Sequence, residues 1–180
     1  MRYLPTLIVL GAVCLSACDR AHTSAQVNDF ISVRDGTVWL QAPDHADATI
    51  NAAGDLRVAS TAITVTSAER ELLKRYYTGA QAVRDHGIAT GKAGVATAGK
   101  AIGSVASGLL HGDADKIDGD IQASVAKVGE QVSLICNDLA EMRTVQETLA
   151  GQLEAFRPYA LIKAADVDDC RRGSKEHPRG

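Results

Sequence analysis

Apolar and polar positions follow three different patterns along the chain. An apolar run from Leu7 to Leu15 comes first, shortly after the basic residue Arg2. Short apolar runs separated by turn residues occupy 30–65, and apolar residues at helical spacing dominate from Thr66 onward. Because strands have a period of two residues and helices a period of 3.6, the patterns predict strands followed by helices.

Residues 30–65 are predicted to form a small antiparallel β-meander of four or five strands. The clearest signal is Asp35-Gly36, which separates the apolar runs of 30–33 and 38–40. An Asp-Gly pair between two such runs is typical of a tight hairpin. Further turn residues separate the short runs that follow.

Thr66 marks the start of the first predicted helix, at about 66–86. Its hydroxyl and the carboxylate of Glu69 fit a capping box, which often begins a helix. Apolar residues then recur at helical spacing, at Leu72, Leu73, Tyr76, Ala80 and Val83. A stop is predicted near His86-Gly87, because glycine often follows the end of a helix.

The next predicted helix, at about 88–111, is rich in small residues. Glycines on a four-residue register form a ridge that lets a neighbouring helix approach closely, at Gly87, Gly91, Gly99 and Gly103. The segment 87–112 is long enough to span a bilayer. However, Lys92 and Lys100 lie inside it, and each costs about 2.5–3.5 kcal/mol at mid-bilayer. A tightly packed soluble helix is therefore the leading interpretation, and membrane association or oligomerisation is the alternative.

The most regular pattern predicts a long helix at about 113–157. Its near-heptad apolar stripe has one blurred step around Val145-Gln146. Pro158 is expected to end the helix, and the polar tail 171–180 is expected to be disordered. The predicted fold class is α+β: a small N-terminal antiparallel β-meander packed on a helical part with a long C-terminal amphipathic helix.

The first apolar run has the layout of a signal peptide. It leads into the sequence Leu-Ser-Ala-Cys, which ends at Cys18 and resembles the lipobox of bacterial lipoproteins. By that resemblance, residues 1–17 are removed, Cys18 becomes the lipidated N-terminus, and 18–28 form a flexible tether. The protein is then expected in the cell envelope, facing the periplasm. Asp19 resembles a retention signal that favours the inner over the outer membrane.

Two cysteines remain after processing, Cys136 and Cys170. In an oxidising compartment such a pair most often forms a disulfide, although an intermolecular bridge and two free thiols stay open. A straight helix from Cys136 to its predicted end at residue 157 rises about 32 Å along its axis. An intramolecular bond then requires an extended return over 159–170 or a helix break near 150–151. A second straight helix over 160–169 is expected to be incompatible with the bond.

Composition and motifs narrow the classes of function. The 180 residues carry a net charge of −3, and only 4% are aromatic, which argues against a nucleic-acid surface. Residues 94–101 nearly match a phosphate-binding loop, yet Ala101 stands where Ser or Thr should hold magnesium. Residues 113–120 resemble a calcium loop, but the ligand spacing fails. No catalytic residue, metal site or cofactor is predicted. Residues 29–170 are expected to form a single domain.

The passage from Gly54 to Tyr77 and the leucine-periodic helix after Cys136 resemble one known group. YggN-like periplasmic proteins of Gram-negative bacteria, a family of unknown function, show a similar order of Gly-Asp, strand, turn, strand and helix, and a similar cysteine. The resemblance covers about residues 30–157 and implies the compartment and an α+β fold, but no activity. It implies no pairing partner for Cys136, because this chain lacks the cysteine of the family's first strand region.

The expected function is that of a membrane-anchored envelope lipoprotein, acting as a non-enzymatic interaction or structural module. Lipid on Cys18 holds it at a membrane, and its partner is another protein or a second copy of the chain. One alternative is membrane association or oligomerisation through the glycine-rich segment 87–112. A second is a small-molecule carrier or an enzyme, which would need a polar pocket between the meander and the helices.

Overall fold

A computed structural model describes the backbone of residues 25–111 and 114–176. Side chains are described for 29–96, 122–123 and 125–174. The predicted signal segment, Cys18 and the start of the predicted tether lie outside the described residues. The packing at Gly99 and Gly103, on the predicted ridge, is also not described.

The fold is α+β, with an antiparallel sheet followed by helices. Each strand of the sheet pairs with its neighbour in sequence, which confirms the predicted meander. The strands are β1 (Ala25–Asn28), β2 (Ile31–Arg34), β3 (Thr37–Leu40), β4 (Ala48–Ile50), β5 (Leu56–Val58) and β6 (Thr61–Ala62). The tether interpretation is wrong for 25–28, which form β1. An edge strand needs hydrogen-bond partners on one side only, so even this polar segment can join the sheet.

Four turns between the described strands contain a residue with positive φ, at Asp35-Gly36, Asp44, Gly54 and Ala59. Asp35 and Gly36 have φ of 48° and 70°, as the predicted β2–β3 hairpin needs. Gly54 has φ of 74°, and a Cβ atom there would lie 2.6 Å from the carbonyl oxygen of Arg70. The turn before β5 therefore fits closely against the first helix because Gly54 has no side chain.

Helix α1 (Ser67–His111) begins as the sequence predicts. The backbone N–H of Thr66 donates to Glu69 Oε2 at 2.7 Å, and the N–H of Glu69 donates to Thr66 Oγ1 at 3.2 Å. The predicted stop near His86-Gly87 is wrong, because α1 continues to His111 without a break. Glycine inside a helix costs about 1 kcal/mol, and the pairing of α1 with the next helix offsets that cost.

Helix α2 (Ala114–Gln152) ends before the predicted position, and a short 3₁₀ helix, Glu154–Tyr159, contains Pro158. The chain then turns back into α3 (Ala164–Glu176), where a disulfide joins Cys170 to Cys136. The tail 171–180 was expected to be disordered, but it is helical up to Glu176. The predicted break near 150–151 agrees with the end of α2 at Gln152.

The expectation that a second helix is incompatible with the disulfide is wrong. Because α2 stops at Gln152, the return path is short enough for α3 to be helical and still reach Cys136. The last helix of the chain is α3, with 13 residues, so the long helix is not the C-terminal element.

One core lies between the inner face of the sheet and the helices. The sheet contributes alternate residues, which are Ile31, Val33, Val38, Leu40, Ala48, Ile50 and Leu56. Tyr76 of α1 packs edge-on against Phe156 of the 3₁₀ helix, with ring centroids 5.4 Å apart. The alternation follows from the two-residue period of strands, so the residues between these point to the opposite, outer face.

Candidate functional site

The Cys136–Cys170 disulfide attaches α3 to the middle of α2. Cys136 is buried, with 1% of its surface exposed, so the bond closes against the body of the protein. The predicted cysteine pair is therefore joined within the chain.

Helices α1 and α2 run antiparallel and extend well beyond the core. Val83 is the last buried residue of α1 with a described side chain, and Cys136 is the first such residue of α2. From Val83 to its end at His111, α1 continues for about 42 Å at 1.5 Å per residue. We call residues 84–111 and 114–135 the two-helix arm; its described side chains are all exposed or half-buried.

Polar and close-packed contacts hold the two helices together at the base of the arm. The imidazole Nδ1 of His86 lies 2.7 Å from Asp138 Oδ2, and both side chains are half-buried. Arg75 donates to Glu141 at 3.1 Å on the exposed side. Within α1, the hydroxyl of Thr90 donates to the backbone carbonyl oxygen of His86. This carbonyl is not at a helix end, so the bond uses the second lone pair of its oxygen.

The predicted glycine ridge is not a packing contact inside this chain where it is described. A Cβ atom at Gly87 or Gly91 would meet nothing within 4 Å. The close approach of α1 and α2 occurs at Gly79, where a Cβ atom would lie 2.5 Å from Met142 Cγ. Gly79 is not one of the glycines of the predicted ridge. Its position between Tyr76 and Val83, on the buried side of the helix, was the available signal.

Shifted pKa values identify groups that hold the fold together. A hydrogen bond from Arg70, joined by one from Asn51, lowers the pKa of the Asp55 carboxyl at the turn beside α1. Desolvation, with the nearby charge of Asp47, raises the pKa of the Tyr159 hydroxyl, which donates to the carbonyl of Ala46. Both groups hold loops of the sheet, at the turn before β5 and at the loop before β4.

No metal-binding cluster of three or more His, Cys, Asp or Glu side chains occurs in the described part of the chain. Among the helices described, none is both long enough and apolar enough to cross a bilayer. Tyr76 is buried, whereas Tyr77 is half-buried and donates from its hydroxyl to the carbonyl of Gly36 at 2.9 Å.

The outer face of the sheet presents a row of cross-strand neighbours. Ser32 of β2 pairs with Trp39, Trp39 with Thr49, and Thr49 with Arg57 of β5. The guanidinium of Arg34, one step along β2, lies 5.8 Å from the centre of the Trp39 ring. Trp39 is therefore a cross-strand residue on the outer face of the sheet.

The segments that resemble YggN-like proteins meet in the core, where Tyr76 of α1 contacts Phe156 beyond α2. The resemblance itself stays a prediction. A comparison of the chain with protein-family models, curated proteins and solved structures found no match in any of the three.

Proposed function

We propose that the protein is a membrane-anchored envelope lipoprotein that acts as a non-enzymatic interaction module. The observation that carries this proposal is the bond between Cys136 and Cys170. It uses both cysteines that remain beside Cys18 after removal of 1–17, so Cys18 is the one cysteine left for lipid. A disulfide also suits the oxidising compartment that the signal-like segment implies.

The two-helix arm supports the interaction role. An enzyme or carrier needs polar groups converging on a cavity, whereas the arm offers extended helix surfaces with half-buried apolar residues. Val125, Val128 and Val132 of α2 are only half-buried, because two helices alone cannot enclose their shared apolar stripe. Another protein, or a second copy of the chain, would cover this stripe by the usual packing of helix on helix.

Oligomerisation through the glycine-rich segment 87–112 is the second candidate. The open faces of Gly87 and Gly91 favour it, since a helix from another chain could approach there. It predicts that Gly91→Leu or Gly99→Leu abolishes assembly, as measured by sedimentation. If both variants assemble like the unaltered chain, this candidate is wrong.

Membrane fractionation with an acyl label tests the anchor. The full chain, expressed in a bacterium that processes lipoproteins, should incorporate labelled palmitate and remain with membranes after an alkaline wash. Residues 19–180 behind an ordinary cleavable signal should take no label and be recovered in the periplasmic fraction. Absence of label on the full chain refutes the lipid anchor. Retention of residues 19–180 in the washed membrane shows instead that the polypeptide itself associates with lipid.

A further inference from the structure

The outer face of the sheet carries positive charge and an aromatic ring. Arg34 and Arg57 are both exposed, and Trp39 is half-buried on β3, which lies between the strands β2 and β5 that carry the two arginines. Arg34 lies over the indole ring, and Arg57 donates to the backbone carbonyl of Ser60. Within the described part of the chain, neither arginine is paired with a carboxylate. Both charges are therefore available to an external anion.

The helices occupy the other side of the sheet. Ile31, Val33, Val38 and Leu40 point inward to α1 and α2, which form the second layer of the fold. The side chains of Thr49 and Arg57 point outward. Thr49 is half-buried and Arg57 is exposed. Ser32, at the β2 end of the row, is buried, so the exposed part of the outer face extends from Trp39 to Arg57.

The start of the sheet lies close to the proposed anchor. β1 begins at Ala25, only seven residues after Cys18, and that length of chain spans at most about 25 Å. β1 is the edge strand, and β3, which carries Trp39, lies two strands away, about 10 Å along the sheet. A lipid on Cys18 therefore keeps the Trp39 surface within reach of the membrane.

We infer that the outer sheet face rests on an anionic lipid surface, the one in which Cys18 is anchored. This inference rests on the proposed lipid anchor and adds an orientation to it. Tryptophan is enriched at the level of lipid headgroups, and each arginine near an anionic surface strengthens binding about fivefold. The short tether supplies the local concentration that so small a charged patch needs. In this orientation the sheet lies on the lipid, and α1 and α2 face away from it.

Trp39 is the single tryptophan of the chain and reports directly on this surface. The oxidised mature chain, residues 18–180, is coupled through the Cys18 thiol to maleimide lipid in vesicles, since Cys136 and Cys170 are bonded to each other. One set of vesicles is phosphatidylcholine alone, and the other contains phosphatidylglycerol. On the anionic vesicles, Trp39 emission should shift to the blue and acrylamide quenching should fall at least twofold. High salt should reverse both changes.

Two double variants distinguish this surface from general attraction of charge. Arg34→Gln with Arg57→Gln should lose the difference between the two kinds of vesicle. Arg75→Gln with Arg143→Gln removes the same charge from the helical side and should keep the difference. Equal quenching of the original chain on both vesicles, or equal loss in both double variants, overturns the inference. Because the tether is supplied chemically, this result is independent of whether a cell lipidates Cys18, which the palmitate label tests.

Discussion

The side-chain amide of Gln146 pairs with the backbone of Ile162 in both directions. Its Nε2 donates to the carbonyl oxygen of Ile162 at 2.6 Å, and the N–H of Ile162 donates to Oε1 at 3.2 Å. Gln146 is 2% exposed, and Ile162 is buried as well. A buried amide on α2 thereby holds the returning chain in the position from which α3 reaches the disulfide.

Replacement of this amide should be costly. Gln146→Leu keeps the volume but leaves the N–H and carbonyl of Ile162 buried without a partner, so we expect a loss of about 3 kcal/mol in the free energy of unfolding. Urea denaturation measures it. Gln152→Leu, at an exposed position of the same helix, is the matched control and should change stability by less than about 0.5 kcal/mol. Equal effects of the two substitutions contradict the role of Gln146.

Tyr76 and Tyr159 should respond oppositely to loss of their hydroxyls. The Tyr76 hydroxyl is buried and has no hydrogen-bond partner among the described residues, and burial raises its pKa strongly. Tyr76→Phe should therefore leave stability unchanged or raise it by about 1 kcal/mol. Tyr159→Phe removes the bond to Ala46 and should lower stability by about 1 kcal/mol. Thermal unfolding of the two variants measures the difference, and a larger loss for Tyr76→Phe would refute it.

Two glycines of α1 should give changes of opposite sign when replaced by alanine. At Gly79 the new methyl group would overlap the buried side chain of Met142, so we expect Gly79→Ala to cost about 1–3 kcal/mol. At Gly87 the methyl group meets open space, and higher helix propensity should add about 0.5–1 kcal/mol. Denaturant midpoints measure both. Destabilisation by Gly87→Ala shows a contact at Gly87 that this chain alone does not make.

The disulfide should account for a large part of the stability of the folded domain. It closes a loop of 34 residues, for which the chain-entropy model gives about 3–4 kcal/mol. Cys136→Ala with Cys170→Ala should lower the free energy of unfolding by about that amount. Unfolding of the original chain with and without a reductant gives an independent value. A non-reducing mass measurement that finds both thiols free contradicts the bond.

The capping box should make stability depend on acid pH. The backbone N–H of Thr66, followed by its hydroxyl, lowers the pKa of the Glu69 carboxyl. Because the pKa is lower in the folded state, the carboxylate stabilises the fold above the usual glutamate pKa. This contribution is lost as pH falls through the lowered value. Glu69→Gln should thus be less stable than the original chain at about pH 7, and the two melting temperatures should converge toward about pH 3. A constant difference over that range contradicts the account.

Local signals predicted much of the fold. Asp35-Gly36 identified the β2–β3 hairpin, and Thr66 with Glu69 identified the start of α1, because each depends on residues within one turn. The cysteine count predicted the disulfide. These features could be predicted from sequence because the interactions that stabilise them either join residues close together in the chain or are covalent.

Features that depend on distant residues could not be predicted. Gln146 looked like a blurred step in an apolar stripe, because its partner Ile162 lies 16 residues away beyond a turn that no local signal specified. Helix α1 continues past Gly87 because it packs against α2, where the side chain of Asp138 contacts that of His86. The charged outer face required the register of four strands to bring Trp39 and Arg57 into one row.

The mass of the mature chain purified from membranes tests the central claim most directly. The account predicts a polypeptide that begins at Cys18, carries covalently bound acyl chains on that residue, and contains a bonded Cys136–Cys170 pair. An unmodified Cys18, or a chain that still begins at Met1, contradicts the proposed lipoprotein.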